Sequence, residues 1–287
     1  MDADFTRRVL ELMGSRRSCR RYLAKDIDDD VLRGILAAGL RGPSGGNLQP
    51  YSIVVVRNAQ TRALIAELCG QTFIKEAPMH LVFLLDWHKL SLYASSQRAP
   101  FLSNQSLDDN LTAYADLVCA MERVETAALL YGLGACFIGN GLGKAGPLRE
   151  ALGLRDKTYP VLIMTLGYPA GESAEPPKLP YDCMVFYERC DSVPDDRLRE
   201  GFEEKYGGMR YDLPAGREQR SRQLAQIRAA LEAAYPPDDA LAILAQIEQS
   251  GGMNETQRRF TLQYRANESR VRSDAVRKDM EAFDIWM

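Results

Sequence analysis

Residues Arg41 to Tyr51 read R-G-P-S-G-G-N-L-Q-P-Y, and the β-branched run Ser52-Ile-Val-Val-Val56 comes immediately after. Pro43 and Pro50 are breakers on either side of two adjacent glycines, a serine and two amide side chains. Such a segment exposes backbone N–H groups and small polar side chains, which suits close contact with a flat, polar heterocycle. Taken alone, it reads first as an ordinary helix-to-strand connection. A helix precedes it: Asp28 is a good N-cap, Val31, Leu32, Ile35, Leu36 and Leu40 share one face, and Gly42-Pro43 closes it. The run on its other side, Ser52–Val56, is too uniformly apolar for a half-exposed strand and is expected at the centre of a sheet.

The same pattern repeats along the chain. Phe5, Val9, Leu10, Leu12 and Met13 predict a short first helix ended by Gly14, and Thr61–Cys69 predicts another stopped by Gly70. Met79–Leu85 and Tyr159–Leu166 read as further buried strands, and Ala135–Ile138 as a short strand. Leu107–Leu133 is the longest helical pattern, with Leu111, Tyr114, Leu117, Val118, Met121, Val124, Ala128 and Leu129 recurring at three and four. That stripe reads as core or as a dimer interface, and Ala120, Ala127 and Ala128 allow another helix to approach closely. Asp86–Ser106 has no clear period and is expected to be an irregular excursion with a helical start. Strands alternating with helices predict an α+β or α/β layered domain.

After Gly167 the character changes. Gly171–Pro180, G-E-S-A-E-P-P-K-L-P, is a proline-stiffened surface segment. From Asp195 the chain is charged and helical in pattern, with helices expected over Glu218–Ala234, Asp238–Gln249 and Asn254–Phe283, the last opening on an Asn254/Gln257 capping box. Their apolar faces are thin, so this extension is expected to lie on the main domain or on a partner subunit rather than to form a core of much size. The expected division is a core of residues 1–194 and a helical extension of residues 195–287.

Composition excludes several function classes. A net charge of −3 with dispersed Lys and Arg gives no footprint for nucleic acid. The start carries acids where a signal peptide needs bases, and the longest apolar runs are far too short to span a bilayer, so the expected compartment is the cytoplasm. The six cysteines contain no C-x-x-C and read as reduced thiols. His80 and His88 are the only histidines, with no H-E-x-x-H, so no metal site is expected. There is no G-x-S-x-G elbow and no P-loop. Gly139-Asn-Gly-Leu-Gly143 has the wrong spacing for a dinucleotide fingerprint. Asp26–Asp30 reads as a solvated helix start.

The remaining candidate is Ser15-Arg-Arg-Ser-Cys-Arg-Arg-Tyr22. It reads either as a solvated basic loop pairing with Asp26, Asp28 and Asp29, or as an anion cradle. Guanidiniums around a small hydroxyl are what a phosphate monoester needs, and if Arg16, Ser18 and Arg20 alternate to one side of an extended segment, one anion meets all three.

Taken with P-S-G-G-N-L-Q-P-Y after one intervening helix, this run resembles the FMN-dependent nitroreductase family. Further agreement lies in Gln71-Thr-Phe-Ile-Lys-Glu-Ala-Pro78, in Leu130-Tyr-Gly-Leu-Gly-Ala-Cys-Phe-Ile-Gly139, and in Leu166-Gly-Tyr-Pro169 followed by Pro177-Lys-Leu-Pro180. The resemblance runs from about residue 5 to residue 190, and the length and helical tail look most like the larger oxygen-insensitive nitroreductase and flavin reductase branch. It implies an α+β layered domain with a central mixed β-sheet flanked by helices, plus a helical C-terminal extension. It also implies a homodimer with FMN at the subunit interface, and electron transfer from NADPH or NADH to nitroaromatic, quinone or flavin-type acceptors by ping-pong turnover.

By the same resemblance, Arg16, Arg17, Ser18 and Arg20 match FMN phosphate, ribityl and ring-edge contacts, with Arg17 and Arg20 near the pyrimidine end. Lys178 matches a late phosphate contact. Pro43, Ser44, Gly45 and Asn47 match the loop that covers the flavin from the partner subunit. Gln71 matches an amide at the isoalloxazine or ribityl chain, and Ile138, Gly139 and Asn140 match the turn whose N–H faces flavin N5. No catalytic side chain is implied, since FMN carries the chemistry. Related folds also destroy flavin or oxidise azolines, and a non-catalytic flavin-binding protein is a further alternative. Departures from the family pattern are Cys19 in place of Val or Ile, Tyr51 in place of tryptophan, and Pro176 where the first late base would fall.

Overall fold

A computed structural model of the protein describes residues 2–139 and 145–286. The chain divides into two compact units, residues 1–175 with 275–287, and residues 176–274. The boundary expected at 194/195 therefore falls inside the second unit.

The first unit is built on a four-stranded sheet in the order β1-β2-β4-β3, where β1 is Tyr51–Val56, β2 Met79–Asp86, β3 Gly134–Ile138 and β4 Thr158–Gly167. All three strand pairs are antiparallel, and the parallel component is a bridge between Ser18 and Ala135 at the outer edge of β3. Every residue of β2 is buried, as a central strand between two neighbours requires. β1 is more exposed than its apolar run suggested, because it is the edge strand. The β2–β4 register shifts between Phe83 and Leu84, opposite the stretch containing Pro160. Proline has no N–H for the ladder, and a bulge accommodates it.

The helices owe their limits to their caps. α1 is Ala3–Gly14 and α2 is Asp29–Gly39. Asp28 stands at the α2 N-cap, but its side chain makes no cap hydrogen bond. α3, Ala59–Cys69, is capped by Asn58, whose Oδ1 accepts from Thr61 N at 3.0 Å, and Gly70 ends it in the left-handed conformation (φ 65°). α4, His88–Ser96, is the helical start of the excursion, and α6, Gly146–Leu152, has proline in its first turn.

α5, Leu107–Leu130, is capped by Ser106 and crosses the sheet. Its stripe divides: Leu117, Met121, Val124 and Ala128 are core, whereas Leu111, Tyr114 and Val118 are 54%, 37% and 39% exposed. Its small residues seat α2. A Cβ on Gly39 would strike the Val124 side chain, and one on Gly42 would lie 3.3 Å from the Ala120 backbone. Met280, Phe283 and Ile285, from the C-terminal end of the chain, are buried in the same core. Asn104 Nδ2 donates to Asp284 O at 2.7 Å, and Asn110 Nδ2 donates to Trp286 O at 2.7 Å. These asparagines satisfy backbone carbonyls of the terminal segment whose apolar side chains the core holds.

The second unit contains α7 (Asp195–Tyr206), α8 (Arg217–Glu232), α9 (Pro237–Ser250), α10 (Glu255–Arg258) and a two-stranded ladder, β5 (Arg210–Asp212) with β6 (Gly252–Asn254). It has a small core, in which Leu213, Ile227, Leu231, Ala240, Ile247 and Met253 are buried together. The ladder brings Leu213 and Met253 against α8 and α9, a long-range pairing that reading each helix singly does not show. The Asn254–Gln257 capping box forms. The single helix expected over Asn254–Phe283 is interrupted: a π-turn spans Arg259–Gln263, Tyr264 leaves helical geometry, and α11 starts anew at Ser269 and runs to Glu281. Thr261 Oγ1 donates back to Gln257 O at 2.8 Å, a bond that bends helices.

Candidate functional site

The basic run does not pair with Asp26 or Asp28. It lies along the outer edge of β3: Cys19 N donates to Ala135 O at 2.9 Å, and Leu23 N donates to Tyr168 O at 2.9 Å. Two glycines make this approach possible. Gly134 and Gly167 are register partners; a Cβ on Gly134 would sit 2.6 Å from the Cys19 Cβ, and one on Gly167 would sit 2.8 Å from Tyr22 Cδ1. Beneath them Tyr22 OH, at 2.7 Å from both Cys19 O and Thr165 Oγ1, ties the run to β4.

Because the run is extended, its side chains alternate. Cys19 points inward and is buried. Arg16, Ser18 and Arg20 all act on one group, the Cys136 thiol on β3: burial pushes that thiol up, while Arg20, Ser18 and Arg16 pull it back. Arg16 Nη1 lies 3.4 Å from Ser18 Oγ and 3.3 Å from Glu125 Oε1 on α5. The Glu125 carboxyl is 5% exposed, and burial pushes its pKa up to about 7, against the pull of Arg16 and with a push from Glu122. Arg17, on the alternate side, donates to Gly14 O and Arg16 O, both at 2.8 Å, and meets Glu175 at 2.6 Å. The exposed Arg20 guanidinium lies 5.9 Å from the Phe73 ring centroid, two positions beyond Gln71, so Arg20 reaches the 71–78 segment.

The glycine-rich loop is held at another point of α5. Gly45 N donates to Asp116 Oδ1 at 2.9 Å, and a Cβ on Gly45 would lie 2.7 Å from Thr112 Cγ2. Ser44 Oγ accepts from Gln49 N at 3.3 Å, and Asn47, exposed at φ 55°, comes directly after Gly46 at the same φ. Asp116 Oδ2 is buried without a partner among the described residues.

Ile138 is buried and pairs with Ile163 at the end of β3, and Gly139 beyond it is exposed. Asn140 lies outside the described residues. Lys178 is exposed and belongs to the second unit. The structure thus puts Arg16, Ser18 and Arg20 on one extended run along β3, whereas the 43–47 loop is held to α5 at Asp116 and Arg16 meets the same helix at Glu125. From Ala135, beside Ser18, to Ile138 is about 10 Å of strand, the scale of an extended pentitol arm. A cationic, hydroxyl-bearing cradle at one end and the exposed Gly139 backbone at the end of β3 fit a phosphorylated, ring-bearing cofactor such as FMN.

Two groups escaped the sequence reading, Glu125 and Asp116. Both interrupt the buried stripe of α5, where a carboxylate between Met121 and Ala128, or between Ala113 and Leu117, needs a partner. That interruption was the available signal. Among the described residues no group of three His, Cys, Asp or Glu side chains is placed to hold a metal ion.

Comparison with known proteins gives the family and the fold. An NADPH-dependent oxidoreductase of Staphylococcus epidermidis is 25% identical over 198 residues, covering 67% of this chain and 78% of its own. The solved structure of NfrA1 of B. megaterium matches with a TM-score of 0.64 at 26% identity, over 68% of this chain and 79% of that one. The NADPH:FMN oxidoreductase of Vibrio harveyi, solved in complex with NAD+, shares the fold with a TM-score of 0.63 at 23% identity, over 85% and 97%. Residues 13–168, more than half of the chain, match the sequence model of the nitroreductase family, and the chain belongs to that family.

Proposed function

We propose that this protein transfers electrons from NADPH or NADH, through FMN, to nitroaromatic, quinone or flavin-type acceptors, with donor and acceptor using one open site in turn. The observation that carries this reading is the extended placement of Arg16, Ser18 and Arg20 along the edge of β3, with Ser18 bridged to Ala135 about 10 Å of strand from Ile138. Arg16 and Ser18 hold the phosphate of the cofactor, Arg16 by planar charge-assisted hydrogen bonds and Ser18 by its hydroxyl. Arg20 supplies positive charge beside Gln71, where a flavin ring gains electron density on reduction. The backbone N–H of Gly139, at the exposed end of β3, is the group offered to the ring edge, and Arg17 steadies the run through Gly14 and Glu175. Bound FMN supplies the hydride and electron chemistry, which agrees with a site offering no histidine or paired carboxylates for acid–base work.

The active unit is a homodimer. Arg16 meets α5 at Glu125 and Gly45 meets it at Asp116, nine positions away, or roughly 13 Å along a helix at 1.5 Å per residue. One chain therefore does not close its own glycine-rich loop over its own cradle. The exposed face of α5 formed by Leu111, Tyr114 and Val118 lies on the helix that carries both. Packing two such faces brings Pro43, Ser44, Gly45 and Asn47 of one subunit to the cradle of the other. The compartment in this reading is the cytoplasm; no described helix is long and apolar enough to cross a membrane.

The test is spectroscopic. The purified protein should be yellow, bleach with NADPH under argon, and regain colour when a nitro compound is added. Flavin that binds but is reduced by neither nicotinamide would sink the reading in favour of a binding protein. Lasting loss of the flavin spectrum in air would point instead to flavin destruction.

A further inference from the structure

Glu125 presents an unusual arrangement for a phosphate cradle: a carboxyl group placed behind one of its arginines. The group is almost wholly buried, and two charged groups face it, Arg16 from the basic run at 3.3 Å and Glu122 one turn earlier on its own helix. In the apo-protein Glu125 and Arg16 neutralise each other. A phosphate monoester above pH 7 carries close to two negative charges. When it reaches Arg16, that guanidinium stands between two anions, and one of them has no solvent to screen it.

We propose that Glu125 is the proton-accepting counter-charge of the cradle, a positioning residue that holds Arg16 before the cofactor arrives and takes up one proton from solvent when its phosphate binds. The step is balanced: one proton leaves the buffer and joins the carboxylate, and Arg16 turns its full charge to the phosphate. The neutral carboxyl remains as a hydrogen-bonding partner behind it. This inference rests on the assignment of Arg16 to phosphate and adds to it a pH-dependent release of cofactor.

The surroundings favour this assignment of the proton. Burial already pushes the carboxyl up to about 7, and Glu122 pushes the same way. The other titratable groups at the cradle, Cys136, Cys19 and Tyr22, are all pushed up by burial from 9.0, 9.0 and 10.0, so each gives up its proton at a higher pH than Glu125 does. The second ionisation of the phosphate, near pH 6, is complete before the window opens. Between about pH 7 and 9, Glu125 is the group left to take up the proton.

The experiment uses the intact apo-protein titrated with FMN by calorimetry, in two non-phosphate buffers of different ionisation enthalpy, at intervals from pH 6 to 9. Wild type should take up close to one proton per FMN near pH 8 and almost none near pH 6. Its Kd should be nearly flat below pH 7 and rise by up to about tenfold per pH unit above it. Glu125→Gln should bind FMN with no proton uptake and a flat profile over the same range, and riboflavin, which lacks the phosphate, should draw no proton into either protein. Wild type that binds FMN without taking up a proton overturns the proposal even if the variant fails to fold. Equal uptake in wild type and variant overturns it as well. Failure of wild type to bind FMN at any pH removes the phosphate assignment itself, and the inference with it.

Discussion

Gly134 and Gly167 face each other across the β3–β4 pair, and the Cβ atoms they lack would fall against Cys19 and Tyr22. This glycine pair is the seat on which the basic run lies. Gly134→Ala should therefore disturb the run at Cys19, costing on the order of 1–3 kcal/mol as overpacking does and lowering the flavin content of the purified protein. Gly146→Ala, where the added Cβ meets open space, is the control. Loss of flavin in both variants, or in neither, would show that the glycine pair does not seat the run.

Arg16→Ala tests the cradle directly. It deletes the guanidinium that links Ser18 to Glu125 and leaves a buried carboxyl without its ion-pair partner. Hydrogen bonds to charged groups contribute about 1.5–3 kcal/mol, so the Kd for FMN should rise by roughly ten- to a hundredfold. Fluorescence titration reads this directly. Flavin content equal to that of wild type would refute the phosphate assignment.

Much of this was legible in the chain, and the remainder was hidden for physical reasons. The four strands of the larger sheet stand where short apolar runs lie between breakers, because apolar side chains and turn residues act locally. The basic run and the glycine loop were legible as candidate stretches, since their residue types carry the chemistry. Their separation along α5 was not, because it depends on where Gly45 and Arg16 meet that helix. Glu125 was hidden in the stripe Met121-Val124-Ala128, where only a charge at a core position marks it. The core formed by Leu213 and Met253 with α8 and α9 was illegible for a similar reason: β5 and β6 are three residues each, too short to carry a pattern.

The shared-site reading makes α5 a subunit contact. A charge at its exposed apolar face, as in Val118→Glu or Leu111→Glu, should shift the protein toward monomer in light scattering and lower flavin retention in parallel. The folded chain should persist, since both residues lie outside the core. A wild-type monomer that holds FMN would contradict the shared site.

Glu125 also links pH to folding in the apo-protein. Its folded pKa of about 7 lies above the ordinary 4.5, so the stability tied to it is fully present below pH 4.5 and is lost as pH rises through 7. Relative to Glu125→Gln, apo wild type should lose on the order of 3 kcal/mol between these limits, at about 1.36 kcal/mol for each pH unit that separates the folded and unfolded values. Urea unfolding of both proteins from pH 4.5 to 8 measures it. A constant difference between them across that range would show that burial does not perturb the carboxyl.

His80 runs in the opposite direction. It is fully buried in β2, with Nε2 at 2.7 Å from Ile74 O. A carbonyl can only accept, so Nε2 carries the proton, and Nδ1 presents a bare lone pair that meets no hydrogen-bond partner among the described residues. Burial lowers its pKa from 6.5 to about 4, with Arg62 adding to the fall and the Ile74 bond opposing it. A base with a depressed folded pKa contributes stability that is present above 6.5 and is lost as pH falls toward 4, because the unfolded chain takes up the proton first. Below pH 6 the two groups therefore act against each other, Glu125 gaining and His80 losing. His80→Gln offers Ile74 O a donor without a titrating ring, so it should lower stability at pH 8 through imperfect packing yet flatten the decline between pH 6.5 and 4. NMR titration of the His80 ring in wild type gives the direct reading, and a ring that protonates near 6.5 in the folded protein would rule out its part in the acid limb.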